Sequence, residues 1–167
     1  MSKNELTTEK MTQALGWAYE KALNGIPGDL SSESLAKSYM KRFISTDEAI
    51  HSLIKWQTAK SSTSGFVTGL GGIVTLPVAV PVNIASVLYV QMRMIAAIAY
   101  MRGYDLKDDQ VQTFVFICLT GQAASDILKQ SGITVGTKLT VQLIKKVPGT
   151  TLTKINQKVA FRLVTKF

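Results

Sequence analysis

Residues that carry chemistry are scarce in this chain. Of 167 residues, one is a cysteine and one a histidine. A lone Cys118 excludes an internal disulfide framework, and its setting in Phe114-Val-Phe-Ile-Cys-Leu119 reads as a small hydrophobe packed in a core. A lone His51 excludes a site built from several imidazoles, and no serine or cysteine stands out as a nucleophile for it to activate. There is no Gly-x-Ser-x-Gly elbow. The cluster Gly69-Leu-Gly71-Gly72 fails as a phosphate loop: no Gly-Lys-Ser/Thr follows, and Val74 stands where a dinucleotide fingerprint has glycine. These absences point to a non-enzymatic protein with no cofactor and no metal.

Charge is missing in two places. Ser61 to Met92 is a run of 32 residues without one charged side chain, carrying Gly65, Gly69, Gly71, Gly72, Pro77 and Pro81. Such a run is long enough to enter a bilayer, but the glycines and prolines spoil a simple spanning helix. It is expected to insert shallowly or to pack as a hairpin. Acid is absent after Asp126. Residues 1–126 hold eleven acidic and eleven basic side chains, which cancel. The whole net charge of +8 then comes from Lys129, Lys138, Lys145, Lys146, Lys154, Lys158, Arg162 and Lys166. Segregation of that kind implies an anionic partner, either a phospholipid surface or nucleic acid.

What is present is helical. Leu15, Trp17, Ala18 and Ala22 recur at helical spacing between about Leu6 and Leu23, and Asn24-Gly25-Ile-Pro27-Gly28 stops the helix. Ser31 or Ser32 can cap a second helix with Leu35, Tyr39, Met40 and Phe43 on one side. Ser45-Thr-Asp-Glu48 has capping-box spacing ahead of a third helix bearing Ile50, Leu53, Ile54 and Gln57. Gly65 and Gly69 make a flat strip for close approach, and Leu76-Pro77-Val-Ala-Val-Pro81 must be an extended or broken turn. A helix from Val82 to Met101 ends at Gly103. Another runs from Asp109 to about Thr120, apolar almost all round, and a shorter one from Ala123 to Gln130. From Leu152 onward, Leu152, Ile155, Val159 and Leu163 line one face and Lys154, Lys158, Arg162 and Lys166 an adjacent one. Two readings fit: a helix lying on an anionic membrane, or a surface helix whose stripe packs on the core. The expected fold is all-α, a compact multi-helix bundle with a central Gly/Pro-rich hydrophobic helical hairpin. It forms one domain over 1–167, with 1–30 as an N-terminal helix and linker.

Four further groups of residues have ordinary explanations. His51 follows Asp47 and Glu48 at helical spacing, which predicts a surface ion pair. Asp105, Asp108 and Asp109 match no calcium loop and read as helix-start acids. Trp17, Trp56, Tyr89, Tyr100 and Tyr104 fit an interfacial belt or plain packing equally. Arg93 interrupts an apolar helix, where a cation is expensive unless paired. Asp126 or Asp105 is the expected partner, with anion binding as the sharper alternative.

Thr63-Ser-Gly-Phe-Val-Thr-Gly-Leu-Gly-Gly-Ile-Val-Thr-Leu-Pro-Val-Ala-Val-Pro81, followed by Ile95-Ala-Ala-Ile-Ala-Tyr-Met-Arg-Gly-Tyr-Asp105, resembles the EcsC protein family. Lys138 to Lys146 and Lys154 to Lys166 are similar to its later segment, so the resemblance runs from about Leu35 to the end. It implies a bacterial, membrane-associated protein without an agreed activity, and so without catalytic residues to carry over. The founding member is encoded beside an ATP-driven envelope transporter, which implies a role accessory to envelope transport. Family members continue past the position of Phe167 into a glycine-rich hydrophobic segment, so a shortened form is expected.

The N-terminus is polar and mixed in charge, without the apolar core of a signal peptide. The expectation is therefore a cytoplasmic protein peripheral to the inner face of the membrane. Its partner would be an anionic membrane surface or an envelope protein. Lys145, Lys146, Lys154, Lys158, Arg162 and Lys166 are its candidate lipid contacts, and Gly65 to Pro81 its packing or insertion motif. A soluble helical adaptor is the main rival. Nucleic acid ranks low, because no helix-turn-helix, aromatic RNA platform or zinc site is present.

Overall fold

The computed structural model describes residues 5–61, 80–133 and 145–167. Within them the chain forms seven α-helices and no β-strand: α1 (Thr8–Asn24), α2 (Ser32–Met40), α3 (Thr46–Ser61), α4 (Val82–Met101), α5 (Asp109–Cys118), α6 (Ala124–Gln130) and α7 (Gly149–Lys166). A single 3-10 turn, Gly121–Ala123, leads into α6. The protein is an all-α bundle, as the periodicity predicts. Gly65, Gly69, Gly71, Gly72, Pro77 and Lys138 lie outside the described residues. The expected central Gly/Pro-rich hairpin therefore lies outside the described residues, apart from Val80 and Pro81, which lead into α4.

Local chemistry sets most helix ends. Thr7 starts α1, its hydroxyl accepting from Lys10 N at 3.2 Å, and Ser31 starts α2 by accepting from Ser34 N at 3.2 Å. Of the two serines offered as caps, Ser31 takes that role. Ser32 turns inward instead, fully buried, and its hydroxyl donates to the Ala22 carbonyl at 2.9 Å. Ser45 accepts from Glu48 N at 3.3 Å, the hydroxyl half of the expected capping box. At the end of α4, Gly103 takes φ +91°. Gly103 N donates to Tyr100 O and Tyr104 N to Ala99 O, both at 3.0 Å, a paired closure that needs the left-handed residue glycine supplies.

Helix α4 is the axis of the bundle. It packs against α1, α2, α3 and α5, while α7 closes the other side against α1 and α5. The main core joins Met11, Leu15 and Ala18 of α1 to Leu88 and Met92 of α4, Val115 and Ile117 of α5, and Ile155, Val159 and Leu163 of α7. A satellite core sits under α2 and α3, where Leu35, Tyr39, Ile50 and Leu53 meet Ala97 and Met101. Alanines at both seams (Ala14, Ala18 and Ala22 on α1; Ala85, Ala96 and Ala97 on α4) are almost fully buried and leave room for backbones to approach. Among the described residues, α4 alone is long and apolar enough to cross a bilayer, with mean hydropathy 1.5 over its window. A helix enclosed by four others has the same composition.

Three expectations need correction. Cys118 is exposed and not a core hydrophobe. It edges a small groove of about 210 Å³ between α4 and α5, shared with Ile95, Ile98 and Phe114. Its thiol, set among carbon side chains, titrates above the ordinary value because desolvation disfavours the thiolate. His51 faces solvent and makes no ion pair among the described residues; Asp47 bonds Arg102 Nη2 at 2.6 Å instead. Asp108 occupies the position before α5 without a side-chain capping bond. Asp105 Oδ1 accepts from Lys107 N at 3.0 Å, and no group of acids among the described residues could hold a metal.

Candidate functional site: the basic face of the last helix

Pro148 precedes α7 with extended backbone, and the helix runs 18 residues to Lys166. Its apolar stripe settles one question. Leu152, Ile155, Val159, Ala160 and Leu163 are all buried against the protein. The stripe therefore belongs to the core and is not available to lipid. A part-buried hydrogen bond fixes the helix about its axis: Thr113 Oγ1 of α5 donates to Asn156 Oδ1 of α7 at 2.9 Å.

With the stripe inward, the cations must face out. Lys154, Arg162 and Lys166 are exposed and Lys158 is half-buried, and Phe161 lies among them with 60% of its surface in solvent. Phe167 follows at 45%. Lys145 and Lys146, just before the helix, are also exposed. Lys145 comes to 4.0 Å from Asp108. Among the described residues, none of Lys146, Lys154, Lys158, Arg162 or Lys166 has an acidic partner within ion-pair distance.

Two shallow grooves flank this face. One, about 620 Å³, lies between α6 and α7 and is lined by Ile127, Gln130, Lys154, Gln157, Lys158, Phe161, Arg162 and Thr165, with no acid among them. The other, about 560 Å³, runs past Arg162 and Lys166 to Asp126. Surface of this kind can attract anions and shelter an apolar group.

The second candidate, Arg93, is buried in mid-α4 and fully engaged. Its Nε donates to Leu30 O at 2.6 Å, Nη1 to Gln57 Oε1 at 3.2 Å, and Nη2 meets Asp29 Oδ1 at 3.1 Å. Tyr89 OH donates to the other oxygen of Asp29 at 3.3 Å. The partner is thus Asp29, not Asp126 or Asp105, because the turn after α1 lies over α4 and presents both its carboxylate and a carbonyl. Gly25 makes that turn possible with φ +79°, where an added Cβ would sit 3.0 Å from Ser31 N and 3.1 Å from Asp29 O. The guanidinium ties the turn and α3 to α4, a structural role that leaves little of it for a ligand.

The model of the EcsC protein family matches residues 2–158. The chain belongs to that family. The match takes in α1 and the Asp29 turn, so the EcsC region starts well before Leu35, where the resemblance in sequence begins. No curated protein and no solved structure matches the chain. Sequence reasoning passed over Phe161, Asn156 and Asp29 of this EcsC protein. A large aromatic between Lys158 and Arg162, off the apolar stripe, was the available signal for the first.

Proposed function

We propose that this EcsC protein is a non-enzymatic, peripheral membrane protein of the cytoplasmic face, held to anionic lipid by the outward side of α7. The observation that carries the reading is a set of cations with no ion-pair partner among the described residues, gathered around an exposed phenyl ring: Lys154, Lys158, Arg162 and Lys166 around Phe161. A basic cluster near an anionic leaflet gains roughly 1 kcal/mol per side chain, screened by salt. Lysine stems can lie along the apolar boundary with their ammonium groups among headgroups, while Phe161 enters the interface. An accessory role in envelope transport fits such an attachment.

Flotation of the detergent-free protein with neutral and anionic vesicles, at low and high salt, tests the reading. Replacing all four cations by serine removes about 4 kcal/mol of attraction, a loss of partition of about a thousandfold at low salt. The protein is expected to float with anionic vesicles only, and to sink in high salt or as the quadruple variant. A folded protein that stays at the bottom of every gradient would overturn the proposal. One observation favours a protein partner instead: Trp56 and Ile54 of α3 are 59% and 39% exposed. In that adaptor reading, lipid has no effect on the protein.

A further inference from the structure

The groove between α6 and α7 is more particular than a basic surface needs to be. Lys154, Lys158 and Arg162 stand at i, i+4 and i+8, so their stems emerge on one wall over about 12 Å of helix. The lining is mostly carbon, with Ile127 at the base and Phe161 on the rim. Lys158 is half-buried there, and among the described residues neither an acid lining the groove nor an ion pair answers its charge. A cluster of cations with no countercharge beside it favours an anion that comes to it. The groove volume of about 620 Å³ lies within the range that holds an amphiphile of moderate size.

Resting on the membrane reading above, we propose that this groove is a binding site for one phospholipid with a phosphomonoester headgroup. Lys158 and Arg162 hold the phosphate, Lys154 adds to the field, and the start of an acyl chain lies along Ile127 and Phe161. Charge complementarity selects the headgroup. Three cations on one wall exceed what the single charge of a phosphodiester calls for, whereas a phosphomonoester carries about −1.5 to −2 near neutral pH and has three acceptor oxygens. The guanidinium of Arg162 can engage two of those oxygens at once. Gln157, on the same wall, offers an amide donor to the third.

Two measurements on the full chain test this together. Flotation compares vesicles of phosphatidic acid and of phosphatidylglycerol, diluted in neutral lipid to equal surface charge. Calorimetric titration uses dihexanoyl phosphatidic acid below its micelle concentration, with inorganic phosphate and dihexanoyl phosphatidylcholine as controls. The expected result is about tenfold tighter binding to phosphatidic acid vesicles, the margin of one additional charge-assisted hydrogen bond. Saturable binding of the short-chain lipid is expected alongside it. Both should fall about tenfold in Gln157→Glu, which adds a carboxylate to the groove without removing a base, and the titration should weaken in Phe161→Ala. Unchanged melting of each variant confirms the fold.

The proposal stands only if both the discrimination and the saturable titration occur. Equal binding to charge-matched vesicles, or no saturable titration, overturns it while leaving anionic-surface attachment intact. Inorganic phosphate binding as tightly as dihexanoyl phosphatidic acid overturns it in favour of a free-phosphate site. Absence of flotation with any vesicle overturns the membrane reading itself.

Discussion

Arg93 is about 5% exposed, and replacing Asp29 with alanine leaves its guanidinium bonded to Leu30 O and Gln57 Oε1 but without its only ion-pair partner among the described residues. Removing one member of a buried pair costs about 3–5 kcal/mol, mostly the penalty of an uncompensated buried charge. Tyr89 also loses its 3.3 Å hydrogen bond to Asp29, within the same figure. A domain has about 5–15 kcal/mol in total, so Asp29→Ala should lie near the edge of folding. With a urea slope of about 2 kcal/mol per molar, the midpoint should fall by about 2 M. The buried Trp17 indole supplies a fluorescence signal and far-ultraviolet dichroism a second probe. Arg93→Met supplies the other half of a double-mutant cycle. In Asp29→Ala/Arg93→Met no charge is left buried, so the double variant should be less destabilised than the sum of the singles by about 2 kcal/mol or more. A midpoint loss under about 0.5 M for Asp29→Ala, or strict additivity, would refute the idea that this pair holds the turn to α4.

Gly25→Ala should cost at least about 2 kcal/mol, because its φ of +79° disfavours a side chain and the Cβ would meet backbone at 3.0 Å. Gly16→Ala, within α1 and with nothing inside 4 Å of the new methyl, should instead stabilise by about 0.5–1 kcal/mol. Thermal melts of the two variants shifting in the same direction would count against this account of the turn. Tyr19, buried with its hydroxyl donating to Leu106 O at 2.6 Å, has its ionisation pushed up, first by desolvation and then by Asp105, Asp108 and Asp109. A phenol whose folded value lies above the unfolded value of about 10 stabilises fully below that pH and loses the contribution progressively as pH rises from there through the higher folded value. Tyr19→Phe should therefore be the less stable protein by about 1–3 kcal/mol at pH 8, and the gap should narrow by about 1.4 kcal/mol by pH 11. An unchanging gap in urea midpoints between those two pH values would contradict the assignment.

Helix ends and stripes were legible because they rest on local chemistry. Ser31, Ser45 and Gly103 act within three residues of their bonding partners, and such spacing is visible in a linear sequence. The partner of Arg93 was not legible. Leu30 lies 63 residues before it, and only the path of the turn after α1, set by Gly25, decides that Asp29 arrives there and Asp126 does not. Thr113 and Asn156 are hidden for the same reason: each reads as a neutral polar residue until α5 and α7 are laid side by side.

The last helix shows why the candidate site was legible only in part. A core and a membrane ask the same thing of an amphipathic helix, an apolar stripe at 3.6-residue spacing, so Leu152, Ile155, Val159 and Leu163 could serve either. The structure spends that stripe on the core. This removes the strongest argument for insertion by the stripe and leaves the charge argument untouched, because acid is absent after Asp126 whichever way the helix turns. Burying the stripe also rotates Phe161 outward among the cations. Any lipid contact at this face must therefore run through Phe161 and the basic side chains, a smaller and more selective footprint than a whole helix lying flat.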